Sequence, residues 1–252
     1  MVSDNDSGKE DQLVSSAQVK LVKYRNVLKE SKFFQESQDI LGQLSIKYIR
    51  CLALGSPIDM TNAMYQLAYI LEIMDILSIP TKNLSLYDPI FNTNDEKFLI
   101  DIVNSTIDEQ IPTHFAPEST LYFLPHAPIE LMETLLDTEF PIYVLGNDVV
   151  SHTDGFTKRK LFEKYPKVSK LLNQISSPIK LQQEPKQDEV PFQTPKSRSR
   201  KNRNKFVEPV IDYTTVPVYF SGCKIVRFKQ SVSKDAVWGN AFSDLAYHLI
   251  SE

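Results

Sequence analysis

Four short apolar runs, each stopped by glycine, proline or an acid, constrain this chain more than any other feature. They are residues 46–54 before Gly55-Ser56-Pro57, 84–88 before Pro89, 120–124 before Pro125-His126, and 141–145 before Gly146-Asn147-Asp148. Runs of this length, apolar without alternation and bounded by turn residues, read as strands covered on both faces. Between them lie stretches of helical pattern at 62–77, 95–103 and 129–136. Strands alternating with helices at such intervals give βαβ units, right-handed crossovers and a parallel sheet. The expected fold class is therefore α/β: a three-layer, mostly parallel, Rossmann-like sheet with helices on both faces.

The flanks add to this frame. Residues 16–44 read as a pair of helices, with Val19, Val22 and Val27 near one face and Gly42 at the end. A short strand is expected at 113–116, further strands at 216–220 and 224–228, and a C-terminal helix over 240–250. Residues 1–15 are small and polar and read as a disordered tail. From 177 to 208 the composition turns to Pro, Gln, Ser, Lys and Arg, which reads as a disordered basic insert. One domain, 16–176 joined to 209–252, is the expected organisation, because the strands after the insert are needed to complete the sheet.

Inside the insert, Lys196, Arg198, Arg200, Lys201, Arg203 and Lys205 fall within ten residues. Such a run suits a nuclear-import address, a nucleic-acid contact or an acidic protein surface, and it equally suits a solvated linker. Ser177 and Thr194 each precede a proline, the pattern of proline-directed phosphorylation, and phosphate there would offset part of the basic charge.

Charge narrows the partners. The net charge is −4, which argues against nucleic acid as a partner except through the basic insert. No run approaches the ~20 apolar residues of a membrane helix, and no membrane association is expected. The opening MVSDNDSGKEDQL lacks the basic and apolar regions of a secretory signal. Cys51 and Cys223 sit in apolar runs and read as reduced core residues. A cytoplasmic and nuclear location follows as the expectation.

In open α/β sheets ligands bind outside the carboxyl ends of the strands, where the winding reverses. That edge would carry Gly55, Ser56, Asp88, His126, Gly146 and Asn147 as ligand-binding candidates. Asp88 ends the second run, where nucleotide-binding folds place an acid for ribose hydroxyls. The fit to a dinucleotide fingerprint is partial: one glycine replaces three, and the acid comes later than the usual ~20 residues. Neither a phosphate-binding Gly-rich loop nor a serine nucleophile elbow is present. His114, His126 and His152 could meet near the edge, with His248 on the last helix, and Asp148 or Asp154 could pair with His152 as acid and base. Metal-ligand spacing is absent, so no metal site and no catalytic set is assigned. The sequence requires no cofactor; haem on a histidine or a nucleotide at the edge are the open readings. The alternative for all these residues is that they simply form turns.

The fragments CLALGSP (51–57), QLA (66–68), SLYDPIF (85–91), LYFLPH (121–126) and YVLGND (143–148), followed by an aromatic segment from Phe242, together resemble the SRR-like family. That family is named after the plant protein "sensitivity to red light reduced". The resemblance covers about 45–155 well and the C-terminus loosely. It implies a regulatory protein rather than a defined reaction: light signalling and clock control in plants, microtubule stability and benomyl sensitivity in yeast, haem metabolism in animals. Microtubule-linked protein partners are what it suggests here. A small-molecule-binding or catalytic Rossmann-like domain is the alternative.

Overall fold

The computed structural model describes residues 4–110, 115–176, 210–231 and 236–252, with side chains from Glu10 onward. Seven strands form one sheet: β1 (Tyr48–Leu52), β2 (Leu84–Tyr87), β3 (Thr106–Ile107), β4 (Thr120–Leu124), β5 (Tyr143–Asn147), β6 (Gly222–Arg227) and β7 (Leu245–Ser251). Their order is β3-β2-β1-β4-β5-β7-β6. From β3 to β5 every pairing is parallel. β7 pairs antiparallel with both neighbours, so it alone runs against the others.

The helices divide between the faces. α1 (Asp4–Lys29), α2 (Lys32–Leu41), α3 (Thr61–Ile76) and α4 (Thr93–Lys97), which continues as a π-helical turn over Phe98–Ile102, pack with Ile49, Cys51, Leu121 and Phe123 on one face. α5 (Ile129–Thr138), α6 (Val149–Thr153), α7 (Lys158–Lys164) and α8 (Pro166–Ser176) pack with Leu52, Tyr122, Leu124 and Val144 on the other. The chain is thus a mixed α/β protein with a mostly parallel sheet covered on both sides. α3 is buried without a break from Ala63 to Met74. Each fully buried Leu, Ile or Met there contributes roughly 1.5–3 kcal/mol of hydrophobic stabilisation. Its one buried acid, Glu72, is held by Arg25 and by Lys29 of α1 at 3.2 Å, which pins the N-terminal helix across it.

Several expectations change. The residues expected as a tail are helical from Asp4. The buried stripe of α1 is Val14, Ala17, Leu21 and Leu28, a spacing of threes and fours and sevens, while Val19 and Val22 face solvent. Glu10, Asp11 and Gln12 are exposed on that helix. The expected C-terminal helix is instead the strand β7, preceded by turns through Asn240–Asp244. A short, mostly apolar run carries no clear period, and here the gap between β5 and β6 selects the extended form. His248 therefore sits in the sheet and not on a helix. Residues 216–220 form no strand and bend at Val216 and Tyr219; among them Pro217 has no N–H to give to a ladder. Of the expected strand at 113–116, Thr113 and His114 lie outside the described residues, and the edge strand is β3. The basic run, Ser177 and Thr194 lie outside them as well.

Candidate functional site

Parallel strands bring their C-terminal ends to one rim, and that rim carries Gly55 and Ser56 after β1, Asp88 after β2, His126 after β4, and Gly146 with Asn147 at the end of β5. β1 lies at the reversal of winding: the chain runs outward through β2 and β3, then returns to β4 on the other side. Backbone strain marks the same place. Among the described residues, five non-glycines have positive φ. Ser78, Asn104 and Phe140 follow helical turns, where a left-handed residue closes the last turn. Ala53 (φ 60°) and His126 (φ 51°) instead follow the adjacent strands β1 and β4. Left-handed backbone at an L-residue costs roughly 1–2 kcal/mol, and such strain gathers at ligand sites.

The loops after β1 and β2 are tied into one unit. The Gly55 N–H donates to Asp88 Oδ2 at 2.8 Å, and Ile90 N–H to Asp88 Oδ1 at 3.0 Å. Gly55 holds φ at +81°, with Met60 Sδ lying 3.2 Å from where a Cβ would stand. Beneath, the Asp95 carboxylate is fully buried. It accepts from Ser56 Oγ at 2.8 Å, Ile58 N–H at 3.2 Å and Asn92 N–H at 3.2 Å. Asn92 caps α4 and also donates to Asp59 Oδ2 at 3.2 Å. Ser56 is thus a structural hydroxyl facing inward, while Asp88 remains half-exposed with lone pairs to spare.

His126 is fixed by the segment between β6 and β7. Its Nδ1 lies 3.2 Å from Asp244 Oδ1 and its Nε2 3.2 Å from the Asn240 carbonyl. Both partners are acceptors, an arrangement that favours the doubly protonated ring. The Asp244 carboxylate accordingly raises the His126 pKa, and His126 lowers that of Asp244. The same segment is fastened to α3, with Asn62 Nδ2 donating to Asn240 Oδ1 at 2.7 Å and Gln66 Nε2 to the Ala241 carbonyl at 2.9 Å. Residues 236–244 therefore form a strap over the start of α3 up to the tip of β4. Both ring nitrogens of His126 are thus engaged by groups of the protein itself.

The SRR1 domain family model matches residues 25–249, a span that takes in six strands, most of β7 and every rim residue. This chain belongs to the SRR1 family. A mouse (Mus musculus) SRR1-like protein is 24% identical over 152 residues, covering 56% of this chain and 61% of the mouse protein. No solved structure matches.

Elsewhere in the SRR1 domain the expected site residues do structural work. A Cβ at Gly146 would stand 2.9 Å from the backbone oxygen of Leu124, so glycine there lets β4 and β5 close together. Asn147 Nδ2 donates to the Ala127 carbonyl at 2.9 Å and meets His152 Nδ1 at 3.3 Å. Asp148 caps α6 and pairs with Arg227. Neither Asp148 nor Asp154 is found hydrogen-bonded to His152, and the expected acid–base pair is not formed. Beside Asn147 and His248 lies a cavity of about 20 Å³, lined mainly by Leu124, Ile129, Met132 and Val144. That holds one water and no cofactor. Among the described residues no cluster of His, Cys, Asp and Glu could hold a metal ion. Cys51 is buried, burial pushes its thiol pKa up, and that of Cys223 is pushed up to about 12. Both cysteines are free thiols with little thiolate near neutrality.

His248 sets an acid limit on the domain. It is fully buried in β7, accepts from Val149 N–H at 3.3 Å, and burial pushes its pKa down to about 4. In the unfolded chain the imidazole regains its ordinary value near 6.5 and takes up a proton that the folded state refuses. Stability is therefore complete above the unfolded value and is lost as pH falls from there toward 4. Acidification to about pH 5 should cost about 2 kcal/mol from this residue alone. Urea denaturation across pH 7.5 to 4.5 measures it, and His248→Gln should flatten that part of the profile. An equally steep profile in the variant would assign the loss to other groups.

Proposed function

We propose that this SRR1-family chain is a regulatory protein whose core, a Rossmann-like doubly wound sheet, binds a nucleoside-bearing small molecule on the rim of β1, β2 and β4. One observation carries the reading: the two strained strand ends, Ala53 and His126, lie on neighbouring strands at the reversal of winding, with Asp88 beside them. Ligands of open α/β sheets bind at that place. The regulatory part follows from family membership and from a rim that gathers binding groups without a nucleophile beside a free base.

A thermal-shift panel of nucleosides, nucleotides, dinucleotides and haem tests the proposal. A ligand at 100 times its dissociation constant stabilises by about 2.7 kcal/mol. Asp88→Asn should abolish most of the shift, measured against the variant's own ligand-free melting temperature, because its amide nitrogen must face one of the two N–H groups that Asp88 holds. Silence across the nucleoside-bearing compounds overturns the reading, and a shift with haem alone redirects it.

Contact with a partner in microtubule-linked processes is the second arm of the proposal, and it rests on the basic run at Lys196–Lys205. Six cations in ten residues suit an acidic protein surface such as tubulin tails. Co-sedimentation with microtubules should fall sharply with rising salt and on replacing the six cations with alanine. Sedimentation unchanged by that replacement, or absent in the parent, removes this arm.

A further inference from the structure

Three features of the rim narrow the class of nucleoside. The first is electrostatic. The loops that follow β1 and β2, residues 53–60 and 87–96, contain Asp59, Asp88, Asp95 and Glu96 and not one Lys or Arg. A diphosphate needs cations or a glycine-rich nest of N–H groups, and this loop has one glycine whose N–H already serves Asp88. These two loops disfavour a phosphate and suit a ligand with a neutral sugar and positive charge elsewhere.

The second feature is apolar. Met60 and Ile90 are large hydrophobic side chains left 46% and 57% exposed. Met60 stands under Gly55, and Ile90 follows Asp88 with its N–H on the same carboxylate. A carboxylate with spare lone pairs, flanked by two exposed apolar side chains, provides for ribose hydroxyls and for the face of a flat base together. Nothing else in these loops uses them.

The third is topological. The order β3-β2-β1-β4-β5-β7-β6, with β7 alone reversed between β5 and β6, is the sheet found in adenosylmethionine-dependent methyltransferases. Nicotinamide-binding sheets place a parallel strand beside the fifth. Shared topology alone assigns no function, but here it agrees with the charge and the apolar pair.

We infer that the rim formed by Gly55, Met60, Asp88 and Ile90 binds S-adenosylmethionine, an adenosyl group whose methionine tail carries a net positive charge, and its demethylated product, whose tail is a net-neutral zwitterion. This rests on the rim reading above and deepens it by naming the ligand. Ribose hydroxyls would donate to Asp88, the adenine would cover Ile90 and Met60, and the sulfonium and ammonium would lie in the field of the acidic loops.

Isothermal titration of the full chain with adenosylmethionine, adenosylhomocysteine, NAD and ATP tests it. Adenosylmethionine and adenosylhomocysteine should bind and compete, with NAD and ATP at least about tenfold weaker. Asp88→Asn should weaken binding about tenfold or more. Ile90→Glu, at an exposed position, should weaken it while leaving the melting temperature unchanged, which separates lost binding from lost folding. NAD or ATP binding more tightly, in an Asp88-dependent manner, would overturn the adenosylmethionine assignment and leave the rim reading standing. No binding by any of the four overturns this inference, and the wider panel then decides the rim reading. Binding indifferent to both substitutions would place the ligand elsewhere and overturn both.

Discussion

Asp108→Ala should lower the stability of the SRR1 domain by about 3–5 kcal/mol, the usual cost of stranding a buried ion. The ion is Arg50, which stands in β1 at the centre of the sheet and is wholly buried. Its Nη1 meets Ser85 Oγ at 2.8 Å and the Asp108 carboxylate, Nη2 donates to the Gln110 carbonyl at 3.3 Å, and the Phe115 ring lies 5.4 Å away. Asp108 carries the only negative charge in this set, and Ser85 donates to it too. Without it the guanidinium keeps one hydroxyl and one distant carbonyl against the full cost of leaving water. The double variant Arg50→Met/Asp108→Leu removes both charges and should recover most of the loss, because an apolar pair of similar volume has no desolvation to repay. Urea midpoints at constant slope measure both. A loss under 1 kcal/mol for Asp108→Ala would mean that water reaches Arg50.

Arg50 also shows where the sequence was readable and where it was not. The run around it was legible as a strand because its flanks are apolar and Gly55 and Pro57 stop it, yet nothing local announces that a charged residue in that run is fully buried. Its acid lies in the loop after β3, a strand too short to leave a pattern. β7 was misread because Leu245–Ile250 is apolar but for His248 and shows no strand-like alternation, and only the slot between β5 and β6 makes it a strand. α6 to α8 were not anticipated at all: α6 and α7 are short, and the amphipathic stripe of α8 runs straight into the polar composition after it.

The rim fared differently. Gly55, Asp88 and His126 were legible because parallel strands must deliver their ends to one side, and the residues that stop strands are then neighbours by construction. What holds them was not legible. Asp244 and Asn240, which fix His126, reach it only because the chain returns from β6 to β7 over α3. The basic reason is distance along the chain: a hydrogen bond between partners more than a hundred residues apart leaves no local trace. Asp95 is the exception. Asn92-Thr93-Asn94-Asp95 has the spacing of a reciprocal helix cap, and the structure forms that cap.

Asp95→Ala is the second large effect, expected at about 3 kcal/mol. The side chain accepts from the Ser56 hydroxyl and from two backbone N–H groups, Ile58 and Asn92, in a site closed to water. Two effects oppose each other. Removing a buried carboxylate abolishes its own desolvation cost, which favours the variant. Removing it also strands three donors, each worth roughly 1–3 kcal/mol when buried without a partner. Three donors outweigh one acid that lost its hydration only in exchange for three hydrogen bonds, so destabilisation wins, though by less than the sum. Asp95→Asn separates the effects: it keeps one oxygen for two of the donors but turns an amide nitrogen toward the third, and should fall between parent and alanine. The loss should be local first. Hydrogen exchange at residues 54–60 should quicken in both variants before the strands of the sheet respond, because Asp95 is the anchor of that loop and not of the core. Uniform quickening across β1, β4 and β5 would make Asp95 a determinant of the whole sheet and would remove the picture of a rim held from beneath by one buried acid.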